Sequence, residues 1–396
     1  MRHGGFGPLR WLAVSAILAI GIALAWSLGG TVPGPAPSGP APQLHAPVPP
    51  RVGSTVTVRP ERFGARGNGV ADDTAAMQDA VDWAAARHGE VLLGADRTYL
   101  LSGSLLLPSY SHIVGQGSTS VLRFTWSLNL PDTDGFLVGN ADQNTGNHDI
   151  SLDNFAIHGA GDGLPSGPNS TRPAPRAPGI RLRLVDRFKI HRVDVGYVAG
   201  ISILYQGCHQ GLISGNHVHD SGRDGITGTW HMHTLTHITV RRNVVSRVGD
   251  DGIAIAGPRY VDGARRPFAI TIKNNRIIGW AANPNGLQMG RGIAVLAANR
   301  VVVRHNRIRR TVGTGVLVSW SPNREVVNPD DPWSSSHVWV VDNTVIRPGA
   351  DATPEFSGRR DAILAQHSIN VAVRANVVRR PTQGAVVFQD CASCGR

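Results

Sequence analysis

The stretch "ITVRRNVVSRVGDDGIAI", Ile238 to Ile255, decides how the chain is read. It gives a short alternating strand, an Asn two residues before a Val, a turn, and then a Gly that opens a second apolar strand. The same sentence recurs as "LISGNHVHDSGRDGI", "ITIKNNRIIGW", "VVVRHNRIRRTVGTGVLV", "VWVVDNTVIRP" and "VAVRANVVRRPTQGAVV". Its Asn column is Asn216, Asn243, Asn275, Asn306, Asn343 and Asn376. Its strand-opening column is Gly179, Gly200, Gly225, Gly252, Gly292, Gly315, Ala362 and Ala385, spaced by 21, 25, 27, 40, 23, 47 and 23 residues. A period in the twenties, with several short strands per repeat, is the signature of a solenoid. The Leu ladder of leucine-rich repeats is absent, which leaves a parallel β-helix whose coils stack strand on strand. Period-2 alternation then points Ile238, Val240 and Val245 inward. An inward Asn in every coil can run a ladder of side-chain hydrogen bonds through a turn, and Asn also tolerates left-handed turn geometry.

A solenoid end exposes core and needs a cap. "DDTAAMQDAVDWAAARHGE" supplies a helix: Asp72 or Asp73 at its N-cap, Met77, Val81, Ala84 and Ala85 on one face, and Gly89 at its end. Residues 1–30 read as a signal peptide or signal anchor, with Arg2 and Arg10 ahead of an uncharged apolar run from Trp11 to Gly30. Residues 31–52 are a Pro/Gly/Ala-rich, polyproline-prone linker, and residues 53–396 form the β-helix domain. The body is therefore expected outside the cytoplasm, free or tethered to a membrane by an uncleaved segment. Cys391 and Cys394 can close a small terminal disulfide, leaving Cys208 buried in the repeats. The formal charge of +11, carried far more by Arg than by Lys, suits an anionic partner such as a uronic-acid polymer. No nucleic-acid-reading motif accompanies it, so no nucleic-acid partner is expected.

"FGARGNGVADDTAAMQDAVDWAA", Phe63 to Ala85, followed by "YLLSGSLLLPSYSHIVGQG", resembles the opening of the pectate-lyase-like β-helix superfamily. Its glycoside hydrolase family 28-related and rhamnogalacturonase- or epimerase-like members are the ones resembled, over roughly residues 55 to 390. The resemblance implies an all-β, single-stranded, right-handed parallel β-helix that acts on polysaccharide in a groove along one sheet. It does not name the reaction, because hydrolases, lyases, epimerases and adhesion proteins share the scaffold.

The residue before each strand opener gives a second column: Ala199, Asp224, Asp251, Arg291, Thr314, Asp361 and Gly384. With coils about 4.8 Å apart, Asp224, Asp251 and Arg291 become stacked neighbours with Asp250 beside them. Carboxylates this close cannot all ionise cheaply, which separates an acid from a base. Asp-Gly is also an ordinary turn dipeptide, so the turn alone accounts for Asp251 but not for Asp250. By similarity to polygalacturonase-like hydrolases, "GDDGIAI" matches a Gly-Asp-Asp motif and "GRDGI" keeps the Asp of an Asn-Thr-Asp motif. Asp250 is then the acid, and Asp224 with Asp251 positions the attacking water with inversion. Arg291 stands where those enzymes carry the His of Gly-His-Gly, and "GTGVLV" lacks their Arg-Ile-Lys, which leaves the sugar open.

A lyase or C5-epimerase is the alternative, with stacked carboxylates holding Ca²⁺ and Arg291 as base. The hydrolase reading calls for no cofactor and no metal. A non-catalytic wall-binding or adhesion protein is the third reading. Trp230, His231 and His233 in "TWHMHTLTH", together with Arg259 and Tyr260, are expected to bind substrate with Arg291. Arg265, Arg266 and Trp333 are expected on the groove walls, and Trp280 and Trp339 in packing.

Overall fold

Each coil spends about two dozen residues on three strands, because nearly every strand is only three to seven residues long before a turn redirects it. The computed structural model describes residues 39, 41–44, 56–125, 135–159, 177–257, 265–279, 290–320, 333–350, 352 and 358–396. Residues 1–30 and nearly all of the linker lie outside them, as do Arg259, Tyr260 and Trp280. Among the described residues no helix is long and apolar enough to cross a membrane.

All named strand pairs are parallel, and they form the three faces of a right-handed β-helix. The first face contains Ile203–Gln206, Ile226–Thr229, Ile253–Ala256, Ile293–Leu296 and Val316–Ser319. The second contains His209–Ser214, Thr236–Arg241, Phe268–Lys273 and Asn299–Arg304. The third is an 11-stranded sheet that includes Asp194–Val198, His217–Ser221 and Val244–Val248. Strand Ile363–Arg374 runs unbroken through the corner between the first two faces and joins them into one hydrogen-bonded network.

Strict alternation puts Ile226, Ile253, Ile255, Ile293 and Val316 inside the coil, where each is fully buried. The outward row of the first face is itself apolar at Ala254, Ala294, Leu296, Leu317 and Leu364, a second cluster separate from the interior. The strand-opening glycines are set by space: a Cβ on Gly252 would lie 2.6 Å from Ile277 and 2.7 Å from the Gly292 carbonyl.

The Asn column is a continuous ladder. The Asn216 amide donates to Asn243 Oδ1 at 2.9 Å, Asn243 to Asn275 at 3.0 Å, Asn275 to Asn306 at 2.9 Å, Asn306 to Asn343 at 3.0 Å and Asn343 to Asn376 at 3.0 Å. Each acceptor oxygen also takes the backbone N–H of the preceding Asn, so every rung satisfies a buried turn amide. The left-handed residue of this turn is the one before the Asn: Arg242, Asn274, His305, Asp342 and Ala375 all have φ between 52° and 57°. Ladder bonding, rather than tolerance of left-handed geometry, therefore explains the column.

The cap is helix Thr74–Ala85, which buries Met77, Ala80, Val81, Ala84 and Ala85. Asp73 occupies the N-cap position but turns its carboxylate backwards, accepting the N–H groups of Arg66 at 2.6 Å and Gly67 at 3.0 Å. Asp72 accepts the Thr74 N–H at 3.0 Å instead. The helix ends at Ala85, and the left-handed residue beyond it is His88 rather than Gly89. At the other end Cys391 and Cys394 form a disulfide, and Cys208 is free and buried.

Candidate active site

The turn between the third and first faces places the acidic column. Backbone bonds tie each rung to the next: Gly225 N–H to the Asp251 carbonyl at 2.9 Å, Gly252 to Arg291 at 2.9 Å, Gly292 to Thr314 at 3.1 Å and Gly315 to Asp361 at 3.0 Å. Asp224, Asp251 and Arg291 thus stand on three consecutive coils. The column differs from expectation one coil earlier. Ser202, not Gly200, opens that strand, since its N–H meets the Asp224 carbonyl at 3.1 Å and Ile203 pairs with Ile226. Ile201, not Ala199, therefore lies next to Asp224, and Gly200 aligns with Arg223 through a 3.2 Å bond. The acidic patch begins at Asp224 against an apolar neighbour.

Asp251 is 3% exposed and gives both oxygens to Arg291, accepting Nε at 2.6 Å and Nη2 at 2.9 Å. Arg291 Nη2 also lies 4.0 Å from Asp250 Oδ1. Asp224 accepts the Thr227 hydroxyl at 2.6 Å through Oδ2. Among the described residues, two buried oxygens of the site, Asp224 Oδ1 and Asp250 Oδ1, find no hydrogen-bond partner. Burial, then the negative charges of Asp251 and Asp224, push the Asp250 carboxyl well above the usual range, against the pull of Arg291 and Arg223. Burial also lifts Asp251, to about 6, and there Arg291 opposes it directly. Burial works against the charge of Arg291, yet Asp251 and Asp250 together hold its guanidinium above the ordinary value. The site therefore sets apart a carboxyl pushed toward its protonated form, Asp250, from one that is ion-paired, Asp251.

Beside Arg291 a cavity of about 190 Å³ is lined by Thr314, Leu317, Arg359, Leu364 and Gln366. Arg359 pairs with Asp361 at 2.7 Å, the second Asp–Arg pair of the column.

Three of these residues were not singled out from sequence. Thr227 bonds Asp224 across three positions, Arg223 lies beside Asp250, and Arg359 follows a long insertion. The only sequence signal was their place one to three residues from a column member.

Trp230, His231 and His233 are not brought to the carboxylates. They occupy the turn at the opposite end of strand Ile226–Thr229, six or more residues from Asp224 and so roughly 20 Å along the strand. Trp333 is buried at 9% exposure rather than lining a groove, and Arg266 donates to the Ser334 carbonyl and the Ser336 hydroxyl. Arg265 is exposed, and Trp339, expected in packing, is half-buried on the second face.

The sequence profile of the family described as "Rhamnogalacturonase A/epimerase, pectate lyase-like" matches residues 58–317, more than half of the chain. The chain belongs to this family. No curated protein sequence matches it.

Among solved structures the chain is similar to the catalytic unit of a thermostable GH87 alpha-1,3-glucanase from Streptomyces thermodiastaticus strain HF3-3, with 20% identity and a TM-score of 0.57. That match covers 88% of this chain but only 57% of the glucanase unit, so this member of the family spans little more than half of that relative's length. PfbA, a surface adhesin of Streptococcus pneumoniae, matches at 14% identity and a TM-score of 0.61, over 85% of this chain and 89% of that one. A hyperthermoactive exopolygalacturonase from Thermotoga maritima matches at 14% identity and a TM-score of 0.55, over 87% and 94%. At these identities the likeness is one of fold.

Proposed function

We propose that this family member is an exported polysaccharide-cleaving glycoside hydrolase that works by inverting acid–base catalysis. Asp250 is the general acid, Asp224 activates the attacking water through its free Oδ1, and Asp251, held by Arg291, supplies the fixed negative charge between them. The observation that carries the proposal is the unequal state of three stacked carboxylates. One is spent on a bidentate guanidinium, while two keep a buried oxygen without a partner. A carboxyl that holds its proton beside an ionised neighbour is what protonation of a glycosidic oxygen requires.

The cavity next to Arg291, with Arg359 on its wall, supports a neighbouring saccharide subsite with affinity for an anionic ring. Elimination or epimerisation with Arg291 as base is disfavoured, since Asp251 and Asp250 hold that guanidinium more firmly protonated than a free one. A family fold shared with an adhesin keeps a binding-only role as the competing outcome.

A polysaccharide panel that includes bacterial wall glycans, assayed with wild type and Asp250→Asn, separates these readings. Hydrolysis gives new reducing ends without ultraviolet-absorbing unsaturated uronates, and Asp250→Asn forms them roughly 10²–10⁴-fold more slowly. Unsaturated products that disappear on calcium chelation would establish a lyase. Saccharide binding without turnover, unchanged by Asp250→Asn, would establish a binding protein. Residues 1–30 support action outside the cytoplasm, and cell fractionation tests that part: the protein should be found in the medium or in the membrane fraction facing outward.

A further inference from the structure

Away from the acidic column, the outer surface of the third sheet carries a second set of chemically capable groups. His217 and His219 are two residues apart on strand His217–Ser221, so both project from the same side. Asp194 lies on the preceding coil, directly opposite His217 in register. Its carboxylate meets His219 Nε2 at 2.8 Å and His217 Nδ1 at 3.2 Å, and these donor atoms all lie within 4.8 Å of one another.

The arrangement around His219 is that of an oriented ligand. Asp220 accepts its Nδ1 at 2.6 Å, leaving Nε2 to face Asp194, and Arg247 on the next coil grips Asp220 with Nε and Nη2 at 2.6 and 2.5 Å. The register partner of His219 is Gly196, where a Cβ would stand 2.3 Å from the imidazole. The ring therefore lies flat over the neighbouring coil because that position has no side chain. Tyr197 packs its ring edge-on against His219 at 5.3 Å. His219 is 8% exposed at its side chain, whereas His217 is 48% exposed and leaves one side of the cluster open to solvent.

We propose that Asp194, His217 and His219 form a binding site for a divalent transition metal of the zinc type, with a fourth coordination position open to water. Metal–ligand distances of about 2.0–2.2 Å in a tetrahedron require donor atoms about 3.3–3.6 Å apart. The His219 Nε2 and His217 Nδ1 contacts run to different oxygens, Asp194 Oδ1 at 2.8 Å and Oδ2 at 3.2 Å, and one donor atom from each of the three residues lies within 4.8 Å of the others, so the side chains would close on an ion by rotation without movement of the coils. Two imidazoles and one carboxylate suit zinc and its neighbours in the first transition row, and not Ca²⁺ or Mg²⁺, which take oxygen donors. The Asp220–His219 bond is the carboxylate–histidine support that fixes the tautomer of a metal-ligating imidazole. The metal would bridge two adjacent coils on the strand that runs into the Asp224 turn, and the site stands independently of the proposed hydrolase.

The test is calorimetric titration of the chelator-treated full chain with zinc(II), in buffer containing millimolar Ca²⁺ and Mg²⁺. One zinc ion per chain is expected, with affinity at least ~100-fold weaker in His217→Ala and about 10–100-fold weaker in Asp220→Asn. His217 is the decisive variant, since its exposed side chain can be removed without opening the core. Cobalt(II) should give the intense visible bands of a four-coordinate site in wild type and lose them in His217→Ala. No uptake of zinc, or uptake of undiminished affinity by His217→Ala, overturns the proposal.

Discussion

Asp251 shares both oxygens with Arg291, while Asp250, its neighbour in sequence, keeps Oδ1 buried and unbonded. The two residues should accordingly respond differently to substitution. Asp250→Asn should lower turnover roughly 10²–10⁴-fold, the range for losing a positioned proton donor. It should also stabilise the fold at neutral pH. A carboxyl whose folded pKa is raised still holds a proton where the unfolded chain has released it, so its cost is absent below the unfolded value of about 4 and sets in as pH rises. Thermal melts should place Asp250→Asn a few degrees above wild type at pH 8, with the difference closing at pH 3.5. Activity should fall on the alkaline side as the Asp250 proton is lost, and that limb should vanish from any residual activity of the variant. Removing the partner of Asp251 acts in the opposite sense: Arg291→Ala leaves a buried carboxylate unpaired and should cost about 3–5 kcal/mol in urea unfolding at pH 7. The alignment of Asp224, Asp251 and Arg291 was legible from the chain because each stands one residue before a glycine that the coil geometry demands. The alignment failed at Ala199, where buried Ser202 fills the same narrow position without looking like its column. Thr227 was not legible, because a bond across three residues depends on which way a side chain turns.

The Asn ladder is the element that makes neighbouring coils agree. It fixes their register rung by rung, since Asn243, Asn275 and Asn306 each donate to the next side chain and accept a backbone N–H from the one before. Replacing Asn275 by Ala removes the acceptor of the Asn243 backbone N–H and of one Asn243 side-chain N–H, and the donor to the Val240 carbonyl and to Asn306 Oδ1, and should cost about 2–4 kcal/mol by chemical denaturation. Asn376→Ala, on the half-buried last rung, should cost about 1 kcal/mol. Equal losses at the two positions would mean that the ladder is incidental to stability. The column itself was visible because one residue type recurs at one place. The left-handed position before it was not, because Arg242, Asn274, His305, Asp342 and Ala375 share a conformation without sharing a chemistry.

Across the molecule, cohesion comes from each coil touching only the next, so stability should be graded along the stack. The last coil is the least enclosed: Val377 is 46% exposed and Val386 and Phe388 are half-buried, whereas Ile253 and Ile255 are fully covered. Amide hydrogen exchange at 377–390 should run at least ~100-fold faster than at 238–256, with exchange-detected mass spectrometry as the measurement. The backbone bonds that pass from Ser202 through Asp224, Asp251 and Arg291 to Thr314 have a consequence for how such a chain can change its length. A whole coil could be duplicated or lost after Arg291 or before Asp224 with every remaining rung still finding a partner. A coil inserted between Asp224 and Arg291 would part the acid from its neighbours by one full spacing. Lengthening of the stack at either flank should therefore leave the three coils that hold these residues in contact, whereas lengthening between them should not.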